Sequence, residues 1–235
     1  AQAMKRHGVF NLVFSSSATV YGKPERLPIT EDSPLRVTNP YGQTKLIGED
    51  MLRGLEQCDS RWHVAYLRYF NPVGAHASGL IGEDPRGIPN NLMPFVAQVA
   101  VGRREKLKVF GGDYPTPDGT GVRDYIHVED LAEGHVAALE WISTHERALS
   151  VWNLGTGRGT TVFELADAFG EATGTPLTVR TGPARPGDVV GRATRTDKAL
   201  SVLGWKAELD VVDGVRDSLA WSEKLPTILE AEASR

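Results

Sequence analysis

A chain of 235 residues with 40% hydrophobic and 24% charged residues is neither disordered nor fibrous, and it is long enough for one large core or two small ones. A formal charge of −4 argues against a general nucleic-acid or anionic-membrane binder, which would carry a basic surplus. The single cysteine, Cys58, excludes an internal disulfide, no run approaches the roughly 20 apolar residues of a membrane span, and without a signal-peptide pattern the cytosol is the expected compartment.

The chain opens Ala1-Gln2-Ala3, and Met4 falls just ahead of a strand pattern, so the start reads as a truncation. Val9 to Val20 runs apolar into Ser15-Ser16-Ser17-Ala18-Thr19, which predicts a buried strand whose carboxyl end opens into a crevice, the place where ligands sit in doubly wound sheets. From Pro40 to Leu55 the stripe Ile47, Met51 and Leu55 predicts a helix. At roughly 100° per residue Tyr41 and Lys45 lie about 40° apart on a neighbouring face and can point together. A second buried strand is expected over Val64–Phe70, followed by a long loop from Gly74 to Asn90 of the kind that is usually functional. Leu92, Phe95, Val96 and Val99 share a helix face, Gly111 to Gly121 is rich in turn residues, and His127 to Ile142 has helical spacing. A short strand over Val151–Leu154 leads to Gly155-Thr156-Gly157-Arg158-Gly159. Thr161 and Glu164 then fit a capping box and Gly174 a helix stop. A strand near Leu177–Arg180, a loop at Arg185-Pro186-Gly187-Asp188 and a helix on Val212, Val215 and Leu219 close the pattern. Alternating strands and helices make the chain α/β.

Two features compete as the chemical centre. Gly155 to Gly159 follows a strand and precedes a helix as a dinucleotide loop would, but its spacing is Gly-x-Gly-x-Gly and the next strand carries Arg180 where a ribose-binding acid is expected, so a structural turn is favoured. The other is a serine at a strand end, Ser17, ahead of Tyr41-x-x-x-Lys45, the arrangement of a hydride-transfer site. A phenol with an ordinary pKa near 10 must come down by about three to act as a base at neutral pH, roughly 4 kcal/mol. An ammonium one turn away, with a cationic nicotinamide nearby, is the expected cause. The six histidines show no ligand cluster along the chain, so no metal is expected; His127 and His135 read as packed or hydrogen-bonded helix residues.

Long ordered strings carry a family resemblance: Phe14-Ser15-Ser16-Ser17-Ala18-Thr19-Val20-Tyr21-Gly22, Asn39-Pro40-Tyr41-Gly42-x-Thr44-Lys45, Leu67-Arg68-Tyr69-Phe70-Asn71-Pro72, Gly87-Ile88-Pro89-Asn90-Asn91-Leu92-Met93-Pro94 and Asp118-Gly119-Thr120-Gly121-Val122-Arg123-Asp124-Tyr125-Ile126-His127. The chain thereby resembles the extended short-chain dehydrogenase/reductases, and within them the UDP-glucose 4-epimerase family. The resemblance implies NAD as cofactor, a UDP-hexose substrate, a homodimer paired through the helix of Tyr41, and no nucleic-acid or membrane partner. It implies that Tyr41 takes the proton of the sugar 4-hydroxyl while NAD accepts the C4 hydride, that the 4-keto sugar turns over, and that the hydride returns to its other face. Ser17 would bond the 4-oxygen, Lys45 would hold the nicotinamide ribose, and Tyr69, Phe70 and Pro72 would flank the nicotinamide. Asn71, Asn91 and Leu92 match substrate contacts, Arg123 and Arg185 the pair that grips the diphosphate, and Asp188 the uridine-ribose ligand.

The fold implied is an incomplete doubly wound, Rossmann-type sheet lacking its first βα units, with a smaller C-terminal α+β substrate-binding lobe. Residues 1–75 would be the remainder of the NAD-binding domain, and 76–235 mainly the nucleotide-sugar lobe, with segments near 120–156 returning to the former. The missing glycine-rich part, at about 30 residues per βα unit, would be roughly 90 to 100 residues, and Val9–Phe14 would stand exposed without it. The family departs here at Arg192, where a long cation occupies the position that closes the sugar pocket. Nucleotide-sugar dehydratases and decarboxylases share the Tyr-x-x-x-Lys pair but place a carboxylate at the strand end, which Ser17-Ala18-Thr19 lacks. A chain that binds the sugar nucleotide without turnover is the reading of a different class.

Overall fold

The computed structural model describes residues 1–85, 87–89, 91–145, 150–184 and 190–233. Helix α1 (Gln2–Arg6) leads into β1 (Asn11–Ser15), which stops short of the expected Val20. The cause is local: Ser17 Oγ accepts the Thr19 amide hydrogen at 3.2 Å, and this side-chain bond diverts Ala18–Tyr21 into a 3-10 turn. Helix α2 (Pro40–Cys58) begins where Asn39 and Pro40 put it. The Asn39 side chain accepts Gly42 N–H at 2.7 Å, and proline takes a first-turn position that needs no donor.

Strands β2 (His63–Tyr69) and β3 (Asn71–Val73) come next, then α3 (Leu92–Ala100), β4 (Leu107–Phe110), β5 (Val122–His127), α4 (Val128–Thr144) and β6 (Ser150–Leu154). His127, expected to open a helix, instead ends β5. β7 (Gly159–Thr161) separates the glycine run from α5 (Val162–Thr173), which has both halves of the Thr161/Glu164 capping box and a left-handed Gly174 stop. β8 (Val179–Gly182), β9 (Gly191–Arg192), α6 (Asp197–Leu203) and α7 (Val211–Ala233) are the remaining described elements.

The chain divides into two compact units, Ala1–Phe70 with Leu131–Gly157 and Ala193–Lys206, and Asn71–Asp130 with Arg158–Arg192 and Ala207–Arg235. The segment expected to return near residue 120 therefore returns only at Leu131, because β5 pairs with β3, β7 and β9 inside the second unit.

In the first unit β1, β2 and β6 form a parallel sheet with β2 at its centre. Alternation along β2 sends Val64 and Tyr66 into a cluster with Leu12, Phe14, Leu52 and Val151 on the α2 side. The neighbouring residue of β6, Trp152, turns the other way and meets Trp141 of α4 edge-on at 5.2 Å. Helices thus cover both faces, which is why β2 reads as a nearly continuous apolar run. β1 lies at the edge, all five residues only half-buried, and Val9 beside it is 49% exposed. The second unit sets β3, β5 and β7 in one sheet with β9 also on β5, and packs Val96 of α3, Leu165 and Phe169 of α5 and Val215 of α7 into its core. Phe169 is fully buried, so Phe169→Ala is expected to lose about 3–5 kcal/mol in urea unfolding, whereas Val136→Ala, 57% exposed, stays within about 0.5 kcal/mol.

Candidate active site

Everything that Ser17, Tyr41 and Lys45 do depends on how closely α2 approaches the turn after β1. A Cβ on Gly42 would stand 2.9 Å from the Thr19 carbonyl oxygen, so only glycine lets the first turn of the helix lie against the turn that Ser17 caps. Lys45 Nζ donates to Ser15 O at 2.8 Å and stands 5.6 Å from the centroid of the Tyr41 ring, which is itself 53% exposed. Ser17 is buried, and its Oγ accepts from both Thr19 N, at 3.2 Å, and Thr19 Oγ1, at 3.0 Å. A hydroxyl has two lone pairs and one hydrogen, so with both lone pairs engaged Ser17 is left as a donor.

Beneath these residues lies a charged network that sequence reasoning missed. Glu49, fully buried on α2, receives Ser16 Oγ at 2.5 Å, Arg68 Nε at 2.9 Å, Arg68 Nη2 at 2.6 Å and Arg53 Nη2 at 3.2 Å. Arg68 Nη1 donates to Tyr21 Oη at 3.1 Å, and Tyr21 donates to Asn153 Oδ1 at 2.7 Å. Burial works against the ionised Glu49, yet the hydrogen bonds and charge of Arg68, with the bond from Ser16, hold its carboxyl below the ordinary value. Burial pushes the Tyr21 phenol up to about 12, so it stays a donor. Two signals could have found the network: Arg68 interrupts an apolar strand, and Glu49 falls four residues after Lys45.

The remaining expected residues divide between the units. In the first, Tyr69 ends β2 with its ring 6.0 Å from that of His135, whose Nε2 lies 3.0 Å from Ser15 Oγ. Phe70 is buried in a cluster with Ala18, Val20, Tyr21 and Ile29. In the second, Asn71 and Pro72 lie on β3, paired with Tyr125 and Ile126. Asn91 precedes α3 without capping it and donates Nδ2 to Glu83 Oε1 at 3.3 Å, Leu92 packs against the core, and Arg123 Nη1 donates to Val122 O at 2.8 Å. Arg185 and Asp188 lie outside the described residues, as do Asn90 and the side chain of Arg192.

The glycine run at 155–159 feeds β7, antiparallel to β5, rather than opening directly onto a helix. A dinucleotide loop needs that helix amino terminus beside its glycines, so the structural-turn reading holds. The histidines, scattered in sequence, do meet carboxylates in space: donor atoms of His127, Glu129 and Asp217 lie within 4.8 Å of one another. His127 Nδ1 accepts Glu129 N–H at 3.1 Å, and its buried Nε2 approaches Asp217 Oδ2 of α7 to 3.2 Å without making a hydrogen bond.

Residues 1–155 match the NAD dependent epimerase/dehydratase family. The chain belongs to it. UDP-glucose 4-epimerase of Bacillus subtilis is 58% identical over 220 residues, which cover 94% of this chain and 65% of that protein. The crystal structure of UDP-glucose 4-epimerase from Bifidobacterium longum in complex with NAD+ and UDP is 52% identical, with a TM-score of 0.90 over 96% of this chain and 67% of that one. The Stenotrophomonas maltophila UDP-glucose 4-epimerase with bound NAD and formylated UDP-arabinopyranose is 49% identical, with a TM-score of 0.93 over 97% of this chain and 67% of that one. The chain spans about 65% of the length of the curated relatives it matches. Like these structures of the epimerase/dehydratase family it is Rossmann-type α/β, and among its described residues no helix is long and apolar enough to cross a membrane.

In this family member the Glu49 network also sets an acid limit. A carboxyl held below its ordinary value adds stability that is fully present above that value, near 4.5, and is lost as pH falls through the lower folded one. Glu49→Gln leaves Arg68 buried and unpaired, so urea unfolding at pH 7 is expected to show a loss of about 3–5 kcal/mol. Between pH 5 and 3 the variant should then lose less further stability than the parent; parallel slopes would contradict the depressed carboxyl.

Proposed function

We propose that this chain carries the chemical site of a UDP-hexose 4-epimerase that interconverts UDP-glucose and UDP-galactose with NAD, in the cytosol. The observation that carries the reading is the grouping on one unit of an exposed Tyr41, a Lys45 ammonium beside its ring, and a Ser17 hydroxyl left as a donor. The donor set fits the nicotinamide ribose: Lys45 uses one of three hydrogens on Ser15 O, which leaves two for a ribose diol. When bound, NAD supplies the acceptor and then the donor of the C4 hydride. Tyr41 takes the proton of the sugar 4-hydroxyl and returns it, and Ser17 donates to the 4-oxygen as its charge changes. Tyr69 and Pro72 are assigned to the nicotinamide end. Phe70, buried with Ala18, Val20, Tyr21 and Ile29, is assigned to that end as well.

Asn71, Asn91, Leu92 and Arg123 are assigned to the nucleotide sugar, with Arg123 on the diphosphate. The parts given to Arg185 and Asp188 rest on resemblance alone. Solved relatives bound to NAD with UDP or a UDP-sugar support the assignment. Incubation with UDP-galactose and NAD should yield UDP-glucose, and Tyr41→Phe should lower the rate about 10²- to 10⁴-fold with UDP-galactose affinity, read by calorimetry, little changed. A second reading, sugar-nucleotide binding without turnover, is favoured by the glycine run entering a strand rather than a pyrophosphate turn. Binding with no turnover by the parent chain would select it, and loss of both would sink both.

The homodimer is assigned to α2, which exposes Ile47 and Met51 to solvent. Ile47→Glu with Met51→Glu is expected to convert dimer to monomer in sedimentation, and an unchanged sedimentation coefficient would reject this face.

A further inference from the structure

We propose that Ser16, Glu49 and Arg68 are positioning residues that hold the Ser17 turn in register with the helix bearing Tyr41 and Lys45. The inference rests on the epimerase reading above and names the parts of that site which touch neither sugar nor cofactor. Ser17 lies between two anchors. Immediately before it, Ser16 Oγ donates to Glu49, and at the far end of the turn Tyr21 accepts from Arg68. Glu49 and Arg68 are bonded to each other twice, so both ends of Ala18–Tyr21 are referred to one rigid pair. The same pair spans the two elements that matter. Glu49 stands one turn beyond Lys45 on α2, and Arg68 lies one residue before the end of β2. Lys45 adds a third tie, to Ser15 O.

Stability alone does not account for this arrangement. A buried ion pair is commonly replaced by well-packed apolar residues with no loss, so its presence is weak grounds for a stabilising role. Geometry gives a reason for it. Proton transfer at Tyr41 and donation by Ser17 require the two hydroxyls in fixed relation, and a misplacement of about 1 Å can lower a rate about 10²-fold. Arg68 offers three bonding edges in a plane, with Nε and Nη2 on the carboxylate and Nη1 on the phenol, which an ammonium could not supply together.

Two variants separate positioning from stability. Ser16→Ala keeps the ion pair and removes only its link to the turn. Glu49→Leu with Arg68→Met removes the pair without stranding a charge. Amide hydrogen exchange reads the turn directly, since Val20 N–H bonds Ser17 O and Gly22 N–H bonds Thr19 O. In both variants these two amides are expected to exchange at least about tenfold faster, while Leu67 and Val151 in the sheet and the melting temperature keep their parent values. In turnover of UDP-galactose, kcat is expected to fall about 10- to 100-fold with KM within about threefold. Unchanged exchange at Val20 and Gly22 would overturn the proposal, as would altered exchange with an unaltered kcat. If the parent chain shows no turnover at all, the epimerase reading fails, and the exchange rates alone decide whether Ser16 and the pair hold the turn.

Discussion

The first unit is organised around one buried charge pair. Placing Glu49 and Arg68 out of water costs several kcal/mol per ion, and such a pair survives only if its remaining lone pairs and protons are met. They are met from four separate places in the sequence: Ser16 after β1, Tyr21 at the end of the 3-10 turn, Arg53 on α2 and the Glu31 carbonyl, which takes Arg68 Nη1 at 3.3 Å. Each partner is therefore constrained by the others. Tyr21 passes the constraint to Asn153 on β6, so one connected set of bonds joins β2, β6 and the turn after β1 to α2. In a medium of low dielectric such a set is stiff, because displacing one member exposes the rest to an uncompensated charge.

Rigidity of this kind bears on where Ser17, Tyr41 and Lys45 stand. Asn39 and Pro40 begin α2, so Tyr41 falls on the first turn and Lys45 on the second, and Gly42 removes the one side chain that would hold the helix away from Thr19. Tyr41 and Lys45 thus sit at a helix start and Ser17 caps the 3-10 turn after β1, each on an ordered element. A mobile loop would not fix three hydroxyl and ammonium groups within hydrogen-bond tolerance. Phe70 packs beneath the same turn, in a buried cluster with Ala18, Val20, Tyr21 and Ile29.

Much of this was legible in the sequence, and the parts that were not have identifiable causes. α2, β2 and α5 could be read because their signals are local: a cap, a proline, an apolar run, a capping box. Ser17 could be read as a strand-end serine, but not the break at Ser15, because a single Oγ-to-amide bond outweighed the β preference of Thr19 and Val20. β3, β7 and β9 have two or three residues each and exist only through pairing with β5, which no window of sequence contains. The same long-range pairing moved residues 120–130 into the second unit. Glu49 and Arg68 were not singled out in the sequence, since their meaning appears only when α2 lies over β2. His127 and Asp217 were likewise illegible, being brought together by β5 and α7.

Long family strings mix scaffold with chemistry, and the structure separates them. In Asp118-Gly119-Thr120-Gly121 the carboxylate accepts Thr120 N–H at 2.8 Å and its hydroxyl at 2.7 Å, while Thr120 Oγ1 accepts the Val162 amide at the start of α5. Gly119 has φ +79°, and a Cβ there would lie 2.3 Å from Gly112 O. This part of the string therefore builds a turn and caps a helix, and nothing in its bonding calls for a ligand. Yet it leads directly into β5, the strand that carries Arg123. A turn of this kind belongs to the scaffold because it sets the position of the strand after it. Family membership can thus be read from scaffold residues at high identity, while the reaction proposed above is assigned to three side chains of the first unit with the buried pair beneath them.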